Sequence, residues 1–204
     1  MCYSAEVSIG TFLFVEVICI FLWIRDRRID RAMALILSVV VFMQFLEYLI
    51  WTNQECNAVN KSVTAVIPYY LLLQPVFISI ILYTMKAGTG SLYLPIIATS
   101  IPILLLSTQL PSRGECIKVG ECGHLDWNFD DGGITKSPIG TTILVIWYFF
   151  ALFYTVATLK GGLAPFTTAV LAISLFVSSV YYKRVWSSVW CHAVNAMAVV
   201  AIIA

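Results

Sequence analysis

The chain has 204 residues, of which 60% are hydrophobic and only 11% charged, against about 25% charged in an ordinary soluble domain. With a mean hydropathy of +0.91, it reads as one integral membrane domain, 1–204. A net charge of +1 with no clustered basic face excludes nucleic acid as a partner; the basic run RDRRIDR at 25–31 is short and mixed with Asp26 and Asp30.

A membrane helix needs roughly 20 mostly apolar residues. Seven segments meet or approach that length, at about 7–24, 32–52, 64–85, 91–108, 138–159, 163–182 and 185–204. The fold expected is therefore all-α, a seven-transmembrane-helix bundle. Pro75 is expected to loosen the third helix, and Pro95 with Pro102 to kink the fourth. The sixth and seventh are joined by a Tyr-Tyr-Lys-Arg turn and must be antiparallel. No Lys or Arg precedes residue 25, so the start does not read as a cleavable signal.

Arg25, Arg27, Arg28 and Arg31 place the first loop in the cytoplasm. The N-terminus is then outside and the C-terminus cytoplasmic. Lys86 and Lys160 agree with this orientation; Lys183 and Arg184 run against it. The inner loops are short. The outer side carries loop 53–63 and a long cap loop, 109–137, between helices 4 and 5.

Cys2, Cys56, Cys116, Cys122 and Cys191 fall on or near the outer side, where an oxidising compartment makes each a disulfide candidate. The favoured bridges are Cys116 to Cys122, or Cys56 to one of them, with Cys2 and Cys191 a further pair. A metal site from Cys116, Cys122, His124, Asp126 and Asp130 matches zinc spacing poorly. The acidic turn Asp126, Asp130, Asp131 lacks the loop spacing and closing Glu of an EF-hand. No metal and no cofactor is expected. Asn60-Lys61-Ser62 forms a glycosylation sequon, read as unmodified because it adjoins a span.

The stretch QFLEYLIW, 44–51, carries the most chemistry. Gln44, Glu47, Tyr48 and Trp51 fall at i, i+3, i+4 and i+7 and share one helix face. At about 1.5 Å per residue, Glu47 lies roughly 8 Å below the outer end of its span. A carboxylate at membrane depth is a functional-site hypothesis by default. Tyr70 and Gln74 on the third span reach similar depth, as do Trp190, Cys191, His192 and Asn195 on the seventh. These residues outline an outward-facing polar pocket. Glu16, mid-span on the first helix, is a second buried carboxylate that must be protonated, paired or facing a cavity.

The opening MCYSAEVS, the FLEYLIW of the second span and the SVWCH of the last resemble a group of small polytopic membrane proteins that share a domain of unknown function. Their chains begin Met-Cys-aromatic-Ser-Ala, and carry an acidic residue four positions before a Trp in the second span and Trp-Cys in the last. The matching positions are Cys2, Ser4, Ala5, Glu47, Trp51, Trp190 and Cys191. The resemblance implies a membrane fold and a site around Glu47, Cys2 and Cys191. It does not extend to 109–137, and His192 departs from it.

The last span holds no Lys, which excludes a retinal Schiff base, and the short inner loops do not suit a G-protein-coupled receptor. The first functional reading is a channel or transporter for protons, ions or a small solute, with the bilayer and that solute as partners and homo-oligomers allowed. The second is a membrane-embedded hydrolase or transferase using Cys2, His192 and Glu47. The third is a structural scaffold or assembly subunit. The location expected is a plasma or other membrane with an oxidising outer side.

Overall fold

The computed structural model describes residues 4–109, 116–120, 123–127, 138–160, 162–182 and 186–203. The chain is helical almost throughout. Its helices are α1 (Ala5–Arg25), α2 (Asp30–Trp51), α3 (Ala58–Thr84), α4 (Tyr93–Gln109), α5 (Pro138–Ala157), α6 (Leu163–Tyr182), α7 (Trp186–Ala193) and α8 (Met197–Ile203). A 3-10 turn, Val194–Ala196, separates α7 from α8, so the last apolar segment is a broken helix. Among the described residues, four helices, α1, α2, α3 and α6, are long and apolar enough to cross a membrane.

Pro75 and Pro68 both sit inside α3, which runs 27 residues as one assigned helix. It also begins at Ala58, six residues before the apolar run, because Asn57 caps it: the Asn57 side chain accepts the Asn60 amide at 3.0 Å. Polar first turns carry no hydropathy signal. α4 is likewise one helix across Pro95 and Pro102.

α2 is the hub. It packs against α1, α3, α7 and α8; α3 meets α4 and α5, α5 meets α6, and α6 returns to α7 and α8. Burial follows this order. Leu37, Val41 and Ile50 on α2 are enclosed, whereas Phe14 and Val17 on α1 and Phe166 and Ile173 on α6 are exposed. Large apolar side chains pointing outward on the rim helices are what a bilayer-facing surface requires. Several hydroxyls inside these helices are satisfied locally: those of Thr84, Thr99, Thr155 and Thr167 donate to carbonyls one turn back.

One end of the bundle is tied by Arg25. Its guanidinium reaches the Asp30 carboxylate at 2.6 and 2.8 Å, and donates to the carbonyls of Ile202 at 2.8 Å and Ala201 at 3.1 Å. The end of α1, the start of α2 and the end of α8 thus meet at one planar fork.

The other end carries the cap. Two short strands, β1 (Lys118–Val119) and β2 (Leu125–Asp126), pair antiparallel. Cys56 and Cys116 form a disulfide, one of the favoured pairings. Asn60, fully buried, donates to the carbonyls of Asn53 and Ile117, and Thr64 accepts the Ile117 amide. The sequon asparagine is therefore a structural pin whose amide nitrogen is already committed. Gln54 accepts the Val119 amide at 2.9 Å.

Candidate functional site

Polar contacts are strung along α2. Ser38, Val39, Gln44 and Glu47 lie within ten residues, about 14 Å of helix, and join α2 to three different helices.

Glu47 is 2% exposed and Gln44 is fully buried. Three apart, they share a face, and Gln44 Nε2 donates to Glu47 Oε2 at 3.0 Å. The same amide turns its Oε1 toward Nδ1 of His192 on α7, 3.2 Å away. In this arrangement Nδ1 carries the proton. One buried amide therefore stands between a carboxyl and an imidazole from opposite ends of the chain. A group buried this deeply is costly unless hydrogen-bonded.

Lower on α2, the Val39 carbonyl accepts from Tyr70 and, at 3.4 Å, from Gln74, both on α3. Tyr148 on α5 donates to Gln74 Oε1 at 2.9 Å. Beside them lies an internal cavity of about 10 Å³, lined by Met43, Gln74, Ile78, Tyr148, Trp190 and Cys191 among others. That is room for about one water. Ser38 donates to Glu16 at 3.1 Å, so the mid-span carboxylate of α1 has a partner on α2 and is half-buried rather than enclosed.

Trp190 is buried with its ring edge-on to Tyr148 and Phe149, at 6.0 and 5.1 Å. Its indole donates to the Leu171 carbonyl at 3.4 Å. Cys191 is a buried free thiol on the core face of α7, which corrects its candidacy for a disulfide. Cysteine packs as a small hydrophobe as readily as it pairs. Asn195 lies in the 3-10 turn and donates to the Cys191 and His192 carbonyls at 3.0 and 3.1 Å. Its own Oδ1 is buried without a hydrogen-bond partner. A 3-10 stretch inside a helix commonly marks a hinge.

The expected company is partly assembled. Gln44, Glu47 and His192 are in direct sequence of contact, and Tyr70 with Gln74 join a second cluster on the same helix. Trp51 is half-buried at the end of α2. Cys2, Cys122, Asp130 and Asp131 lie outside the described residues, and with Cys2 so does the expected Cys2–His192–Glu47 constellation. Sequence reasoning missed Tyr148, which looks like one more aromatic in an apolar run, and the Val39 carbonyl, since backbone acceptors leave no mark in a sequence.

Neither the sequence nor the structure matches a known family model, a curated protein or a solved structure.

Proposed function

We propose that the chain crosses the bilayer seven times and moves protons, alone or coupled to a small solute, through a switch built from Glu47, Gln44 and His192. The observation that carries this reading is the single buried amide joining two ionisable side chains on two helices.

With Glu47 ionised, Gln44 donates to the carboxylate and accepts from the Nδ1 proton of His192. When Glu47 takes up a proton, its O–H becomes a donor and is best matched by the amide oxygen. A half-turn of the Gln44 amide satisfies that bond and presents Nε2 to His192, whose proton must then sit on the other ring nitrogen. Protonation on α2 is thereby registered on α7, immediately before the 3-10 turn. Broken helices with polar groups at membrane depth are what transporters use.

On this reading the Cys56–Cys116 cap and the N-terminus face an oxidising compartment, and the Arg25 end faces the cytoplasm. The likeness of its Glu47, Trp51 and Trp190-Cys191 motifs to a group of small polytopic membrane proteins is part of the same proposal. The test is proton flux into liposomes containing the purified chain. Glu47→Gln is expected to abolish flux while leaving the helical content unchanged; flux equal to the unaltered protein's would remove the proposal.

A further inference from the structure

At the end of the bundle that carries Arg25, the segment after α3 meets the segment after α5. The Thr89 amide donates to the Thr158 carbonyl and the Lys160 amide to the Ala87 carbonyl, both at 2.9 Å, and Gly88 bridges Leu159. The approach is close enough to require glycine. A Cβ on Gly90 would lie 2.5 Å from Thr158 Cγ2, and one on Gly88 would lie 2.9 Å from Leu82 Cβ. Lys160 Nζ donates to the Lys86 carbonyl at 3.1 Å, which holds the two lysines to the same junction.

Beside this junction is a cleft of about 220 Å³, whose polar lining includes Ser79, Lys86, Ser91, Tyr154, Thr158 and Lys160. It is far larger than the ~30 Å³ share of one water. None of its lining residues is acidic. The ion pairs found among the described residues, Arg25 with Asp30 and Arg31 with Asp26, involve neither lysine. Tyr154 accepts the Ser91 amide at 3.1 Å, leaving its phenolic proton to donate elsewhere. The exposed Tyr83 ring stands at the cleft's edge.

Two ammonium groups, a phenol and several hydroxyls around a carboxylate-free cleft select an anion with several acceptor oxygens. We propose that this cleft binds a phosphate group, carried by an anionic lipid headgroup of the adjoining leaflet or free in solution. Basic pockets between membrane helices recognise headgroups by this chemistry. The proposal does not depend on the Glu47 switch, and it is read by binding rather than flux.

The test uses the purified full chain in neutral detergent with three probes: dioctanoyl phosphatidic acid, dioctanoylglycerol and inorganic phosphate. Phosphatidic acid should bind at least about tenfold more tightly than dioctanoylglycerol, the worth of one charge-assisted contact. The Lys86→Gln/Lys160→Gln double variant should lose that preference, and Lys86→Arg/Lys160→Arg should keep it. Tyr154→Phe, which removes only a hydroxyl, should weaken phosphate-dependent binding and provides the readout if the glutamine variant fails to fold. Inorganic phosphate binding as tightly as phosphatidic acid assigns the site to soluble phosphate; much weaker binding assigns it to lipid. Equal binding of dioctanoylglycerol and phosphatidic acid, no binding of either phosphate probe, or undiminished binding in a folded glutamine variant would overturn the proposal.

Discussion

His192 on α7 lies 3.2 Å from the amide oxygen of Gln44 on α2, across 148 residues of chain. This contact fixes how the broken last helix docks on the hub, and its far side is the Glu47 carboxyl. Gln44→Leu fills the space but offers neither group a hydrogen bond. It should destabilise the protein by about 1–3 kcal/mol, the cost of leaving a buried polar group short of a partner. Combining it with His192→Phe should cost less than the sum of the two, because both remove the same bond. Thermal unfolding in detergent of the two single variants and the double measures this.

Arg25 should matter to stability more than any surface arginine. Asp30 is buried, and Arg25 supplies two of its hydrogen bonds while also covering the last carbonyls of α8. Arg25→Ala leaves the Asp30 carboxylate with only the Arg27 amide, at 3.0 Å, of its hydrogen bonds, at a cost of about 1–3 kcal/mol. Asp30→Asn in the same background should recover part of the loss. Arg25→Lys should also be destabilised, since an ammonium cannot make the fork. Arg31, in an exposed pair with Asp26, should lose less than about 1 kcal/mol on change to alanine. Melting temperatures of the set check the ranking.

These two relationships differ in how legible they were. The apolar runs announced the helical segments, and the spacing of Gln44 and Glu47 placed both on one face. That His192 would be the third member followed only from equal depth on an antiparallel helix. Arg25 read as an orientation signal because its acceptors on α8 are backbone carbonyls, identical at every residue. Asn60 read as a sequon because one of the carbonyls that claim its amide, that of Ile117, lies 57 residues away. Cys191 read as an outer cysteine because its position near the start of the last segment does not reveal which face of α7 it occupies.

The Cys56–Cys116 disulfide closes a loop of 60 residues. On chain-entropy grounds, such a crosslink is worth about 4 kcal/mol. Cys56→Ser or Cys116→Ser should lower the melting temperature and open the cap to protease, while Cys191→Ser should leave cap proteolysis unchanged. Limited proteolysis with peptide mapping over 110–137 distinguishes them.

His124 gives the cap a pH dependence. It is buried behind β2, and that burial holds its pKa below the ordinary 6.5. The unfolded cap therefore binds a proton more readily than the folded one. Cap stability should be fully present above about pH 6.5 and decline as pH falls through that value toward the lower folded pKa. Hydrogen exchange at the Val119 and Gly120 amides should quicken over this window. His124→Phe should flatten the dependence.

The most direct test of the account is proton flux in liposomes under an imposed pH gradient, comparing the unaltered chain, Glu47→Gln and His192→Phe. The account predicts flux above that of protein-free liposomes for the unaltered chain, flux at the protein-free level for Glu47→Gln with its helical content retained, and reduced flux for His192→Phe. Flux from the unaltered chain no faster than that of protein-free liposomes, or the same flux from Glu47→Gln as from the unaltered chain, would contradict it.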